Sequence, residues 1–153
     1  MSASTKTLQV LNILGLLLVL TLNYLANALP IGGRTTGEVA AIFDNLFVPA
    51  GYAFSIWGLI YLLLIVFVVL QARGLFGRKE APAYVDRIGL WFFASCLGNA
   101  LWILAWHNLQ VIIALLLMLV ILVSLLNIYL RLDISYPQPE VPFLVRLPFS
   151  IYL

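Results

Sequence analysis

The chain reads as an all-α, polytopic membrane helix bundle with four complete transmembrane helices and the start of a fifth. Three observations predict this. Of 153 residues, 64% are hydrophobic and only 9% are charged, well above the roughly 45 to 50% apolar content of soluble domains. The apolar residues gather in long runs, 8–29, 54–71, 88–106 and 111–130, each close to the roughly 20 residues that cross a hydrocarbon core about 30 Å thick. The eight Lys and Arg residues also fall mostly in the loops of one side, as the positive-inside rule requires.

Span one, 8–29, follows Lys6 and carries Asn12, Gly15, Asn23 and Asn27 on one side of a helix. So many amides on one stripe do not suit a lipid-facing surface, and they predict either interhelical hydrogen bonds or the lining of a polar pocket. A rival reading is a secretory signal peptide, because Ala26-Asn27-Ala28 has the small-x-small form of a cleavage site. The weak basic region before the run and the three asparagines argue against it.

The first loop, "PIGGRTTGEVAAIFDNLFVPAGYA", opens on strong helix breakers. Thr36-Gly37-Glu38 then predicts a short helix continuing through Val39 to Phe47. A connection of this length suits a lid over a binding site.

Span two, 54–71, places Trp57 and Tyr61 one helical turn apart beside a stripe of Gly51, Ser55 and Gly58. Close approach of a neighbouring helix accounts for the small residues. The flat rings suit a stacked, largely apolar ligand with a few polar handles. The second loop, "ARGLFGRKEAPAY", is basic and punctuated by proline and glycine, which fits a topology anchor on the cytoplasmic side.

Span three, 88–106, is the most informative. Trp91, Ser95, Asn99, Trp102 and Trp106 recur at steps of three or four and share one face. An amide at that depth needs a partner inside the protein or in a water-lined cavity. Ala94 and Gly98 beside the face permit close helix packing. Only "HNLQ" separates this run from span four, 111–130, so the two helices must form a tight antiparallel hairpin. The fourth loop contains Pro137, Pro139 and Pro142, and "LPFSIYL" at 147–153 begins a further apolar segment. Seven residues are too few to span, which predicts a chain cut within a fifth span.

With the N-terminus cytoplasmic, Lys6, Arg73, Arg78, Lys79, Arg87, Arg131 and Arg146 lie inside and Arg34 lies outside. No basic stripe points to nucleic acid. Cys96 is the single cysteine, so an internal disulfide and a cysteine metal cluster are excluded. His107 is the single histidine, and Glu38, Asp44, Glu80, Asp86, Asp133 and Glu140 all belong to loops or span ends. The sequence therefore shows no buried acid pair, no phosphate loop and no zinc-protease motif, and the expectation is a protein that is not an enzyme and holds no metal. The lack of charge within the spans also argues against an ion-coupled pump.

The run Pro49-Ala50-Gly51-Tyr52-Ala53-Phe54, followed by Trp57 and Tyr61, resembles the start of the second span in the TspO/MBR family of tryptophan-rich sensory and translocator proteins. Asn99-Ala100-Leu101-Trp102 with Trp106 is similar to that family's Asn-x-x-Trp pattern on span three, and "LPFSIY" to its opening of span five. The resemblance implies a single TspO-like transmembrane domain over 1–153, a five-helix bundle that forms a homodimer in the lipid bilayer, here a bacterial inner membrane. It implies a hydrophobic small-molecule partner, a porphyrin or other tetrapyrrole or a sterol-like lipid, bound for transport or sensing with no cofactor required. The residues it points to as pocket lining are Trp57, Tyr61, Asn99 and Trp102; the polar faces described above add Trp106, Ser95, Asn23 and Asn27. The alternatives are a small-solute transporter, a structural or assembly subunit without a small ligand, and a porphyrin-degrading enzyme, for which the sequence supplies no recognisable catalytic group.

Overall fold

The computed structural model describes residues 4–29, 31–43, 55–75, 80–136 and 139–153. Among these residues the chain forms seven α-helices and no strand: α1 (Thr5–Ala28), α2 (Thr36–Ile42), α3 (Ile56–Gln71), α4 (Tyr84–Ile88), α5 (Trp91–His107), α6 (Val111–Arg131) and α7 (Phe143–Tyr152). The motif at 49–54 lies outside the described residues, and the helix expected to run from 36 through Phe47 stops at Ile42, because Phe43 turns to an extended conformation with φ −88° and ψ 100°.

Among the described residues three helices are long and apolar enough to cross a membrane: α1, α3 with the 3₁₀ turn that carries it to Gly74, and α6. The expected span at 88–106 is divided, because Gly89 adopts a positive φ of 60° and closes α4 before α5 begins at Trp91. Such a conformation suits a residue without Cβ. What remains is α5 of 17 residues, at the short limit for a spanning helix, so three helices rather than four meet the spanning length in full. The segment expected at 147–153 starts earlier than predicted: Pro142 precedes the first residue of α7, and Val145, Pro148 and Phe149 are buried. A fixed φ makes proline a natural opening to a helix.

Packing follows from small residues and rings. A Cβ added at Gly15 would lie 3.0 Å from both Cys96 Cβ and Phe93 Cδ2, which brings α1 close to α5. Gly98 performs the same service between α5 and α6, where an added Cβ would meet Ile121 Cγ1 at 3.0 Å. Gly58 departs from the small-stripe expectation: an added Cβ there meets nothing within 4 Å, and Ser55 is exposed. Close helix approach therefore does not account for these two residues. Phe67 of α3, Phe92 of α5 and Phe149 of α7 meet edge to face, with centroids 5.0 to 6.0 Å apart, and all three are fully buried. Such pairs add roughly 0.5 to 1.5 kcal/mol each beyond their buried area.

The outer surface is apolar. On α6, Ile112, Leu115, Leu116 and Leu130 are each more than half exposed, an arrangement that water disfavours at about 25 cal/mol per Å² and a lipid core does not.

The ends of the helices define two poles. At one, Thr5 donates to Asp86 at 2.7 Å and Arg87 pairs with Asp133 at 3.1 Å, so α4 ties the start of α1 to the end of α6. A buried amide clasp adds the end of α3: Gln9 donates to the Gln71 carbonyl, Gln71 Nε2 to the Gln9 carbonyl, and Asn12 Nδ2 to Gln71 Oε1 at 2.8 Å. The opposite pole holds the end of α1, the short helix α2 and the α5–α6 turn. That turn is as tight as "HNLQ" requires and is closed by Leu109 in a left-handed conformation, φ 57°.

Candidate functional site

The site sits at the α2 pole. Its cover is built locally: Thr35 caps α2, its hydroxyl accepting from the Glu38 N–H at 3.3 Å while Glu38 Oε2 accepts from the Thr35 N–H at 2.7 Å. This reciprocal pair is the capping box that fixes a helix start. The hydrogen bonds from the Thr35 N–H and then from its hydroxyl hold the Glu38 carboxyl below the usual carboxylate range, with the charge of Arg34 adding to the effect. Val39 of α2 is buried, and Trp106 Nε1 donates to the Thr36 carbonyl at 3.4 Å, tying the cover to α5.

Beneath α2 lies a cavity of about 600 Å³, bordered by Asn23 and Asn27 of α1, Thr35 and Thr36 of the cover, Trp57 and Tyr61 of α3, and Trp102 of α5. Its floor is aromatic. Trp57 and Trp102 stack with centroids 6.4 Å apart and planes 25° from parallel. Trp102 stacks on Trp106 at 5.9 Å and 14°, and Trp57 lies 5.9 Å from Tyr61. On the other side of the Trp57 and Trp102 wall is a second cavity of about 340 Å³, where Asn99 and Tyr152 face apolar side chains of α6.

A hydrogen-bonded relay runs behind the wall. Asn23 Nδ2 donates to Asn99 Oδ1 at 3.0 Å, and Asn99 Nδ2 donates to the Tyr152 hydroxyl at 3.0 Å. One polar strap thus joins α1, α5 and α7. Asn27 donates to the Asn23 carbonyl of its own helix at 2.9 Å and is exposed at the cavity. Trp102 Nε1 is buried without a partner among the described residues, an indole donor beside both cavities. Among the described residues no group of His, Cys, Asp and Glu is arranged to hold a metal.

The sequence-predicted residues therefore separate into three groups. Trp57, Tyr61, Trp102, Asn23 and Asn27 line the larger cavity, while Asn99 lines the smaller one. Trp106 supports the stack and the cover. Ser95 points elsewhere: it is buried, donates to the Phe92 carbonyl at 2.7 Å and borders a void of about 10 Å³, too small for a ligand larger than one water. Of the asparagine stripe on α1, Asn12 acts between helices through Gln71, whereas Asn23 does so through Asn99 and also lines the cavity. Cys96 is a buried packing residue against Gly15, and His107 is buried with Nδ1 at 2.8 Å from the Ile103 carbonyl.

Two features escaped the sequence reading. Tyr152 completes the relay, although it belongs to a segment too short to assign by periodicity. Gln9 and Gln71 form the amide clasp at the other pole. Their signal was present, since a glutamine inside an apolar run calls for a buried partner.

Neither curated proteins nor solved structures give a match to this chain. A model of the TSPO-like protein family matches residues 9–153. Together with the apolar helices, that match places the chain in the TSPO-like family, within the TspO/MBR group of membrane proteins.

Proposed function

We propose that this membrane protein binds a flat, largely apolar ligand of the tetrapyrrole class in the cavity beneath α2, for transport or sensing. The observation that carries the reading is the cavity of about 600 Å³ walled by the Trp57 and Trp102 stack. Its size lies within the roughly 300 to 1,000 Å³ of small-molecule sites, and its composition is of the same kind, aromatic surface with a few polar groups. Trp57, Tyr61 and Trp102 offer ring faces, Asn23, Asn27 and the Trp102 indole N–H offer neutral hydrogen bonds, and α2 serves as the lid. The residues Lys6, Arg73, Arg87, Arg131 and Arg146 gather at the pole away from the cavity. In this reading that pole is cytoplasmic and the lid faces the outside.

The test is a titration of the detergent-solubilised protein with protoporphyrin IX, followed by the Soret band and by quenching of tryptophan fluorescence. A Trp57→Ala, Trp102→Ala variant that keeps its helical circular dichroism is expected to bind at least about tenfold more weakly, since stacked aromatic anchors carry several kcal/mol in such pockets. Unchanged affinity in that variant would sink the pocket assignment.

A second reading has its own observation. The two cavities share the Trp57 and Trp102 wall, so movement of those rings would join them into a path through the bundle. Flux of a small solute into proteoliposomes is the measurement that favours transport.

A further inference from the structure

Among the described residues, those that border the larger cavity include amides, hydroxyls and aromatic rings but no charged side chain. A carboxylate drawn inside would therefore lack a cation, and an unpaired charge in an apolar site is costly. One described Lys or Arg residue adjoins that lining along the chain. Arg34 immediately precedes Thr35 and Thr36, which border the cavity, and it is exposed. The other Lys and Arg residues that the structure describes lie at or beyond the opposite pole. Among the described residues the one salt bridge is Arg87 with Asp133; the nearest acid to Arg34 in sequence, Glu38, directs its carboxylate to the Thr35 N–H and hydroxyl at 2.7 and 2.9 Å, and the charge of Arg34 acts on it without forming a salt bridge. Guanidinium is suited to this position, because its planar fork pairs with a carboxylate through two parallel hydrogen bonds.

From this asymmetry we infer that Arg34 is a specificity residue that selects ligands bearing a carboxylate on one edge of an otherwise apolar, flat body. The rings enter the neutral cavity against Trp57 and Trp102, and the acid edge stays at the rim beneath the start of α2, where Arg34 reaches it. The inference rests on the ligand reading above and narrows it to amphipathic acids. It also gives the ligand one orientation, acid outward.

The experiment compares protoporphyrin IX with its dimethyl ester, which keeps the ring and removes both charges, on the full chain in a non-ionic detergent. Wild type is expected to bind the diacid about tenfold more tightly than the ester, the equivalent of one charge-assisted contact. Added salt should weaken the diacid and leave the ester unchanged. In Arg34→Gln the preference and its salt dependence should both disappear while ester affinity stays at the wild-type value. Arg34→Lys should restore part of the preference. Binding of both probes with the same preference in Arg34→Gln, or equal binding of both by wild type, overturns the role of Arg34 alone. Binding of neither probe by wild type overturns the pocket reading, and this inference with it.

Discussion

At the scale of single residues, Asn99 is the hub of the site. It accepts from Asn23 and donates to Tyr152, each at 3.0 Å, and is itself almost fully buried. Replacing Asn99 by Leu leaves the Tyr152 hydroxyl without that donor and leaves Asn23 donating to the Val19 carbonyl of its own helix, 2.9 Å away. Interhelical hydrogen bonds in membranes contribute about 0.5 to 2 kcal/mol. A double-mutant cycle on Asn23→Leu and Asn99→Leu, read from thermal unfolding in detergent, is therefore expected to show a coupling of about 0.5 to 1.5 kcal/mol. Strictly additive losses would remove the bond from the energetics. The two asparagines were legible in the sequence because the helical period isolates amides on apolar faces. Tyr152 was not, since a tyrosine near an apolar terminus has no periodic signature and its partner lies on another helix.

At the scale of elements, close packing depends on which glycines face a neighbour. Gly98 and Gly58 look alike in sequence, each within an apolar run, yet an added Cβ meets Ile121 at 3.0 Å in one case and open space in the other. Gly98→Val is expected to destabilise the α5–α6 hairpin by about 1 to 3 kcal/mol through overpacking. Gly58→Ala is expected to be neutral or to stabilise by up to about 1 kcal/mol, the difference in helix propensity. The pair is checked by thermal unfolding in one detergent, and equal losses at both positions would show that Gly58 also faces a neighbour. The start of α2 was readable from Thr36-Gly37-Glu38 because capping chemistry is local. The break at Gly89 was missed because the apolar run continues across it, and hydropathy does not register a positive φ.

At the scale of the whole molecule, the two poles differ in charge as well as in structure. Lys6 follows the first residue of α1, Arg73 follows α3, and Arg87 and Arg131 meet through their side chains and carbonyls. Arg34 stands at the pole of the cavity. A bilayer reads this asymmetry as orientation, because moving clustered basic loops across the membrane is disfavoured. Single cysteines introduced as Ser4→Cys and Gly37→Cys test the result in intact cells with a membrane-impermeant maleimide, the native Cys96 being buried. Gly37→Cys is expected to react from outside and Ser4→Cys only after permeabilisation; the reverse pattern would invert the topology.

The sequence on its own settled that these helices are apolar enough for a membrane, and it placed Asn99, Trp102 and Trp106 on one face, because composition and period are properties of a single segment. It also named Asn23, Asn27, Trp57, Tyr61 and Trp102, half of the described residues that line the larger cavity. Whether two such residues meet is a different matter, because a stack or a hydrogen bond needs contact within a few ångströms between segments far apart in the chain. That step belonged to the packing of the helices: it set Trp57 against Trp102, joined Asn23 and Asn99 to Tyr152, turned Ser95 toward its own backbone, and clasped Gln9 to Gln71 at the far pole.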